Sequence, residues 1–287
     1  MQNSKDYKST AEHYIALWGL EPSAPFFTTH SSLLWPVSSD GNALMLKIVD
    51  PQGDEAHGSE ILNIFGGNGV VRLVKHQDNV QLLERIISDG TQPSLEQMVL
   101  TGHDDEVTHI ICDVIEKLHA QVKDKALPPS YTRFSDRIRG TSKHIDEGRV
   151  PSSELSLFHE GILLSKLLLE EQKSTEILLH GDLHHFNVLF SKDRGWLAID
   201  PKGILGPRAY EYANALCHPT LHTEIVANQK RMMRQSAIMS ERSEIPQDIL
   251  LKFAFVHALQ VAAWCLSKPD QDYWLACAKT ARNLINV

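Results

Sequence analysis

The residues whose types and spacing could do chemistry lie between positions 180 and 200. The chain reads His180-Gly181-Asp182-Leu183-His184-His185-Phe186-Asn187, then an apolar run at 188–190, a polar turn, a second apolar run at 196–199, and Asp200. An aspartate, an asparagine five residues later and a second aspartate across a hairpin are the groups that align a hydroxyl and hold Mg²⁺ on ATP. Phosphoryl transfer needs mainly positioning and neutralisation of charge, so few side chains suffice.

Each of these residues has an expected role. Asp182 is the predicted catalytic residue, which orients the acceptor hydroxyl or accepts its proton, and Asn187 and Asp200 are the predicted Mg²⁺ ligands. His180 is expected to support the loop backbone rather than to act as a base. The two apolar runs predict a hairpin that brings Asn187 and Asp200 together.

The alternative for this segment is a solvated turn or an adventitious metal cluster built from His184, His185 and the acids. No cysteine accompanies these residues, and the chain contains neither an HExxH nor a CxxC motif. The kinase interpretation is therefore favoured.

The segment from Leu178 to Cys217 resembles the aminoglycoside phosphotransferase family. The resemblance rests on Leu-Leu-His-Gly-Asp-Leu-His-His-Phe-Asn-Val-Leu, on Gly-Trp-Leu-Ala-Ile-Asp-Pro-Lys-Gly and on Gly-Pro-Arg-Ala-Tyr-Glu-Tyr-Ala. The Ile-Asp-Pro-Lys-Gly ending is most similar to the streptomycin 6-kinase branch, which is also grouped as aminoglycoside/hydroxyurea antibiotic resistance kinases. Phe186 departs from that branch, which usually has glycine immediately before the metal-binding asparagine.

The resemblance implies an α+β, protein-kinase-like fold of two lobes, with ATP and Mg²⁺ as cofactors. Residues 1–87 are the predicted N-terminal ATP-binding lobe, with a small antiparallel sheet and the hinge at its end. Residues 88–287 are the predicted helical C-terminal lobe, with the catalytic and metal-binding loops and the acceptor site.

A lysine in the N-terminal part is the candidate for binding the α and β phosphates. Lys47 lies in the apolar strand Ala-Leu-Met-Leu-Lys-Ile-Val, where a buried ammonium needs an anionic partner. Glu60, on the following predicted helix, is the expected partner, and Glu55 competes with it. The resemblance favours Glu60. The alternative is a lysine on the solvent face of a half-exposed strand.

Periodicity predicts the elements that must position these residues. Hairpins are expected at 32–49, around Asp40-Gly41, and at 70–86, with a helix from about 55 to 65 between them that stops at the glycines of 66–69. Longer helical patterns occur at the following ranges: 7–18, 104–119, 154–170, 224–240, 246–266 and 273–285. Residues 82–86 should form the last strand and the hinge. The hairpin at 37–42 lacks GxGxxG, so phosphate binding should depend on Lys47, metal and backbone amides.

Composition sets further limits. The chain has 287 residues, 42% hydrophobic and 22% charged, with a formal net charge of -8. The acidic balance argues against nucleic-acid binding and is favourable for a cationic substrate. The widely spaced Cys112, Cys217, Cys265 and Cys277 indicate reduced thiols, and no apolar signal core or membrane-length run is present. We therefore expect a cytoplasmic protein that binds a small-molecule acceptor and ATP, without membrane or protein partners.

The acceptor should lie beside Asp182 in the larger lobe. Acids and aromatic rings hold cations, so Glu211 and Trp264 are candidate contacts, together with Asp270 and Asp272. For Trp264 the competing interpretation is a core position on an apolar helix face. For the two aspartates it is the start of the last helix.

Four functions remain in competition. The leading hypothesis is an ATP-dependent O-phosphotransferase acting on a small, hydroxylated, cationic molecule such as a streptomycin-type aminoglycoside. The others are a kinase of an amino alcohol or sugar on the same fold, a nucleotide-binding protein without turnover, and a histidine-based metal-binding protein. The presence of Asp182, Asn187, Asp200 and Lys47 argues against the third, and the scattering of the 15 histidines argues against the fourth.

Overall fold

The structure is a computed structural model that describes residues 4–29, 31–87, 90–122, 131–220 and 222–285. Its N-terminal part consists of an antiparallel sheet flanked by two helices, α1 (Ser4–Trp18) and α2 (Gly58–Phe65). The strands are β1 (Glu21–Pro22), β2 (Phe27–Thr28), β3 (Ser32–Ser39), β4 (Asn42–Val49), β5 (Leu73–Gln77) and β6 (Val80–Glu84). Their order is β1-β3-β4-β6-β5, and β2 also pairs with β3.

The β3–β4 hairpin turns where the sequence predicts it. Ser39 pairs with Asn42, and the two residues between them, Asp40 and Gly41, have φ of +49° and +76°. Two positive φ values are required by the tight turn whose twist matches the flanking strands.

Alternation along β4 decides which side chains face the cleft. Leu44, Leu46 and Ile48 pack under α1 with Leu33 and Val37 of β3 in a separate apolar cluster. Lys47 and Met45 project from the other face, since successive strand residues point to opposite sides. That face looks towards the C-terminal part of the chain.

The C-terminal part is mainly helical. Its helices are α3 (Leu95–Leu100), α4 (Asp104–Val122), α5 (Phe134–Asp146), α6 (Leu155–Glu171), α7 (Tyr210–Leu216), α8 (Thr223–Val226), α9 (Gln229–Ser243), α10 (Gln247–Trp264) and α11 (Lys268–Ile285). Helix α10 is buried around most of its circumference, so it forms the centre of the large core. The predicted pattern at 224–240 is divided between α8 and α9, and α3, α5 and α7 lie outside the predicted helical patterns.

Short strands interrupt the helices at the catalytic segment. They are β7 (Thr132–Arg133), β8 (Glu176–Leu179), β9 (Val188–Ser191), β10 (Gly195–Ala198) and β11 (Ile204–Pro207). The β9–β10 hairpin is confirmed, with Val188 opposite Ala198. Strands β7, β11 and β8 form a separate sheet in that order.

Backbone contacts join the β9–β10 hairpin to the N-terminal part. Val71 N donates to Ala198 O at 2.9 Å, and Ala198 N donates to Gly69 O at 2.8 Å. Gly66, with φ of +61°, ends α2 in the left-handed conformation, so the predicted helix stop is confirmed. The predicted domain boundary after residue 87 stays a prediction, because Ser88 and Asp89 lie outside the described residues.

None of the helices in the described part of the chain has the length and apolarity needed to cross a membrane.

The glycine at 203 is expected to be required for folding. It has φ of +71°, and a Cβ there would lie 1.9 Å from Ile61 Cδ1. Gly203→Ala should therefore lower the free energy of unfolding by roughly 2–5 kcal/mol, from backbone strain plus steric overlap. Gly195→Ala is the matched control, because Gly195 has φ of +72° and nothing within 4 Å of a Cβ; it should cost about 1–2 kcal/mol. Urea unfolding measures both, and equal losses would contradict the steric argument.

Candidate active site

The loop from His180 to Asn187 connects β8 to β9 and is held through hydrogen bonds to the backbone of a later segment. Lys202 N and Gly203 N both donate to His180 O at 2.9 Å. The His180 ring is fully buried; its Nε2 lies 2.9 Å from Ile199 O, and its Nδ1 lies 3.3 Å from Asp182 N. Nε2 therefore carries the proton and Nδ1 accepts. Burial lowers the pKa of His180, which keeps the ring neutral. These contacts support the predicted bracing role.

Glu211 of α7 lies beneath this loop. Its carboxylate accepts hydrogen bonds from His180 N at 2.6 Å and from Gly181 N at 3.0 Å, and the residue is 2% exposed. Burial opposes its ionisation, but the nearby His119 ring and the Gly181 amide outweigh burial and lower the pKa of Glu211. The prediction that Glu211 contacts the acceptor is corrected, because its carboxylate is turned inward against the loop amides.

Three side chains surround the Asp182 carboxylate. Asn214 Nδ2 lies 3.2 Å from Oδ1, and Lys202 Nζ lies 3.1 Å from Oδ2. Asn187 Nδ2 donates to Asp182 O at 2.9 Å and approaches Oδ2 at 3.4 Å. Asp182 is 25% exposed, so a substrate hydroxyl can reach it.

A buried chain of hydrogen bonds orients Asn214. His257 Nε2 lies 3.0 Å from Asn214 Oδ1, and His257 Nδ1 lies 3.1 Å from the Tyr210 hydroxyl. Because Asn214 Nδ2 donates to Asp182, Oδ1 must accept, so His257 carries its proton on Nε2. Burial lowers the pKa of His257 to about 3, which keeps the ring neutral as this arrangement requires.

The hydrogen-bond chain ends in the core at Gln260, whose Oε1 lies 2.9 Å from the Tyr210 hydroxyl, although the oxygen and nitrogen of an amide can exchange places. Tyr210 must donate its single proton to His257 Nδ1, so its oxygen accepts from Gln260. Placing the Gln260 nitrogen towards Tyr210 meets this requirement and gives a partner to a buried amide nitrogen that otherwise has none.

Asp200 and Lys47 meet across the cleft. Lys47 Nζ lies 2.8 Å from Asp200 Oδ1 and also contacts Glu55 Oε2, and the lysine is 2% exposed. Burial lowers the pKa of Lys47, but Asp200 and Glu55 outweigh it and raise the pKa overall. Asp200 has φ of +57°, an unfavourable conformation for a residue other than glycine and one that occurs preferentially at functional sites.

The partner of Lys47 is Glu55, so the prediction of Glu60 is corrected. The predicted helix at 55–65 begins only at Gly58, and Glu55 lies in the preceding turn, where Ser31 Oγ donates to its Oε1 at 2.7 Å. Glu60 is 56% exposed and lies 3.7 Å from His57 Nδ1. Glu60 also hydrogen-bonds Tyr131, so its partners are His57 and Tyr131 rather than Lys47.

Trp264 contacts a cation within this chain. The Arg137 guanidinium lies 5.0 Å from its ring centroid, and the ring packs partly buried against the large core. One face of Trp264 is thus already taken. Asp270 accepts a hydrogen bond from Ser267 in the first turn of α11, which supports the alternative that it opens the helix.

An apolar cavity of about 240 Å³ lies between the sheet and the β9–β10 hairpin. Leu34 and Met45 line it from the sheet, Leu189 and Ile199 line it from the hairpin side, and Asp200 stands at its edge. Residues 83–86, at the end of the sheet, close it. Its position suits a flat base whose phosphates extend towards Lys47 and Asp200.

The oxygens near the hairpin fit a magnesium ion. Ile199 N donates to Asn187 O at 2.9 Å, which keeps Asn187 beside Asp200. Asn187 uses its amide nitrogen on Asp182, so its Oδ1 oxygen is left for a cation. An amide oxygen and a carboxylate are hard ligands of the kind Mg²⁺ prefers. Among the described residues, no group of three or more His, Cys, Asp or Glu side chains could hold a metal.

Phe186 is accommodated without strain. It lies in the short 3₁₀ turn His185–Asn187, and its φ is negative, so glycine is not required there. The ring is 37% exposed and faces a second cavity of about 210 Å³ beside Ile86 and Trp196.

Comparisons with known proteins agree with this geometry. Residues 17–268 match the family model described as aminoglycoside/hydroxyurea antibiotic resistance kinase. The chain belongs to that family. A streptomycin 3''-kinase of Klebsiella pneumoniae is 34% identical over 71% of each chain. A streptomycin 6-kinase of Streptomyces griseus is 25% identical over 86% of this chain and 79% of its own.

The fold is confirmed by a solved structure. A thermostable mutant of aminoglycoside phosphotransferase APH(4)-Ia, in a ternary complex with AMP-PNP and hygromycin B, superposes with a TM-score of 0.66. It is 13% identical and covers 97% of this chain and 98% of its own. The protein is thus a small-molecule kinase of the aminoglycoside/hydroxyurea resistance family, with the protein-kinase-like fold expected from its sequence.

Three site residues of this kinase were missed by sequence reasoning. Lys202 lies in the Pro-Lys-Gly signature, which marks the branch but by itself indicates no role for the lysine. Asn214 and His257 lie on α7 and α10 in helical patterns typical of core positions. No local signal distinguishes them, because their contacts join segments 32 to 43 residues apart.

The buried rings of the active site predict that this kinase loses stability as the pH falls. Burial lowers the pKa of His184 and of His257 to about 3. The unfolded chain, with histidine pKa values of about 6.5, therefore binds protons first as the pH drops below that value. Between about pH 6 and pH 4, each ring should remove about 1.4 kcal/mol of unfolding free energy per pH unit.

Urea unfolding at several pH values measures this slope. His184→Gln should reduce the slope by about 1.4 kcal/mol per pH unit, because one fewer proton is taken up on unfolding. The control is His76→Gln on strand β5, whose ring is exposed in the folded protein, and it should leave the slope unchanged. An unaltered slope in His184→Gln would contradict the assignment.

Proposed function

We propose that this kinase transfers the γ-phosphoryl group of Mg-ATP to a hydroxyl of a streptomycin-type aminoglycoside. The observation that carries the proposal is the arrangement around Asp182, a partly exposed carboxylate beside Asn187 and across the hairpin from Asp200. The names of the two kinase relatives support the choice of acceptor. The net charge of -8 also favours a cationic substrate.

In the proposed reaction, Asp182 accepts a hydrogen bond from the acceptor hydroxyl and takes its proton. The bond between the γ-phosphorus and its bridging oxygen breaks, the bond to the acceptor oxygen forms, and ADP leaves. Asn214 and Asn187 keep the carboxylate in place by donating to its two oxygens.

On the nucleotide side, Lys47 binds the α and β phosphates, and Glu55 holds its ammonium in position. Mg²⁺, held by Asn187 and Asp200, would neutralise charge on the phosphates. The base lies in the cavity lined by Met45 and Leu189.

Asp182→Asn tests the catalytic assignment. The amide keeps the shape of the side chain but cannot take a proton, so turnover should fall by at least about 10²-fold while Mg-ATP binding persists. Coupled ADP release is measured with streptomycin, a 2-deoxystreptamine aminoglycoside, hydroxyurea, choline and simple sugars. NMR of the phosphorylated product identifies the hydroxyl that was modified.

The pattern of turnover decides between acceptors. Streptomycin-dependent turnover that disappears in Asp182→Asn supports the proposal. Turnover with another acceptor alone would contradict the proposed aminoglycoside substrate. Near-normal turnover in Asp182→Asn would contradict the proposed catalytic role of Asp182.

Glu55→Gln and Glu60→Gln form a matched pair for the lysine partner. Because Glu55 contacts Lys47 and Glu60 is exposed, Glu55→Gln should raise the KM for ATP about tenfold, whereas Glu60→Gln should change it by less than about twofold. Steady-state kinetics at saturating acceptor measures both values. The reverse ranking would restore Glu60 as the partner.

A further inference from the structure

We propose that Lys202 is a catalytic residue that binds the transferred γ-phosphoryl group, acting from the acceptor side of the cleft while Lys47 acts from the nucleotide side. This inference rests on the proposed function and deepens it. The roles already proposed for Asp182, Asn187 and Lys47 do not explain why a second ammonium group lies at the active site. The argument depends on its position, its backbone anchoring and its surroundings.

Position is the first observation. Lys202 Nζ lies 3.1 Å from Asp182 Oδ2. An acceptor hydroxyl bound to Asp182 lies about 3 Å from that carboxylate, and the γ-phosphorus approaches the hydroxyl oxygen to about 3–3.5 Å. An ammonium beside the same carboxylate, on a flexible four-carbon side chain, can therefore reach the phosphoryl oxygens.

The backbone of Lys202 is fixed to the catalytic loop. Its amide donates to His180 O at 2.9 Å, and so does the amide of Gly203. Asp200 and Gly203, with φ of +57° and +71°, set the path of the chain on either side. The side chain therefore emerges next to Asp182 with only its own rotations left to adjust.

Lys202 lies between two carboxylates. Its side chain is 27% exposed and faces Asp182 on one side and Asp54, at 3.9 Å, on the other. Asp54 belongs to the turn that also carries Glu55, the partner of Lys47. Lys202 thus contacts Asp182, whereas Lys47 contacts Asp200.

Charge also calls for a second cation. Lys47 already faces two carboxylates, Asp200 and Glu55, and the β3–β4 hairpin lacks the glycine-rich phosphate motif. Among the residues that the structure describes, Lys202 is the only lysine or arginine whose side-chain nitrogen lies within 4 Å of the Asp182 carboxylate. An ammonium at this point would neutralise charge that develops as the phosphoryl group moves to the acceptor.

Nucleotide binding tests the inference without an acceptor. Calorimetric titration with Mg-ADP and Mg-AMP-PNP compares ligands that lack and carry the third phosphoryl group. Lys202→Met should weaken AMP-PNP binding about tenfold or more and change ADP binding by less than about twofold. Lys202→Arg should retain most of the wild-type ratio of AMP-PNP affinity to ADP affinity, because the positive charge remains.

Lys252→Met is the matched control. Lys252 is also 27% exposed and pairs with Asp248 at 2.9 Å on α10, so its loss removes a comparable ion pair away from the cleft. It should leave both affinities unchanged. Circular dichroism and the thermal midpoint establish that each variant is folded, and Lys202→Gln replaces Lys202→Met if the latter does not fold.

An Asp182→Asn background separates direct contact from screening of the Asp182 charge. If Lys202 touches the phosphoryl group, Lys202→Met still weakens AMP-PNP selectively in that background. Equal weakening of both nucleotides, no weakening, or an effect that vanishes with Asp182→Asn would each overturn the inference while leaving the proposed function intact. Wild-type protein that binds neither nucleotide would overturn both.

Discussion

The buried carboxylate of Glu211 is the contact on which the rest of the site depends. It accepts hydrogen bonds from the backbone amides of His180 and Gly181, directly before Asp182. These two amides lie in a loop, where no regular helix or strand pairing satisfies them, and leaving buried donors without a partner would be costly. By binding them, Glu211 joins the loop to α7 and hence to the large helical core. Asp182 is thereby presented at the cleft by a backbone that the core holds.

The same core also orients the Asp182 side chain. Gln260, Tyr210, His257 and Asn214 form one line of hydrogen bonds from the middle of α10 to the carboxylate. Each member has a defined donor or acceptor role only while His257 is neutral, and its burial maintains that state. The interior of the C-terminal part thus does more than supply stability, since its polar groups set the direction of one carboxylate oxygen.

The two parts of the chain meet through charged groups around Asp200. Lys47 comes from the sheet, Glu55 from the turn before α2, and Asp200 from the end of the β9–β10 hairpin. The left-handed backbone of Asp200 is compensated by the hydrogen bonds that Lys202 and Gly203 make to His180 just after it. Local strain in one residue is therefore tied to the position of the catalytic loop, as is common where geometry serves function.

Much of this arrangement could be predicted from the sequence because it depends on local order. Alternation in β4 places Lys47 on the cleft face, and the spacing of two apolar runs produces the hairpin that joins Asn187 to Asp200. The catalytic motif, the β3–β4 turn and the glycine that ends α2 are also local, and each lies where the sequence predicts it.

Only the tertiary structure decided the partners of these residues. Glu55 rather than Glu60 meets Lys47 because α2 begins three residues later than its pattern suggests, and Glu211 points inward because α7 packs under the loop. Lys202 and Asn214 contact Asp182 from separate segments, and His257, from a third, acts through Asn214. Periodicity tells which face of an element is apolar, but the neighbours of a polar side chain depend on where burial of the whole core places distant helices and turns.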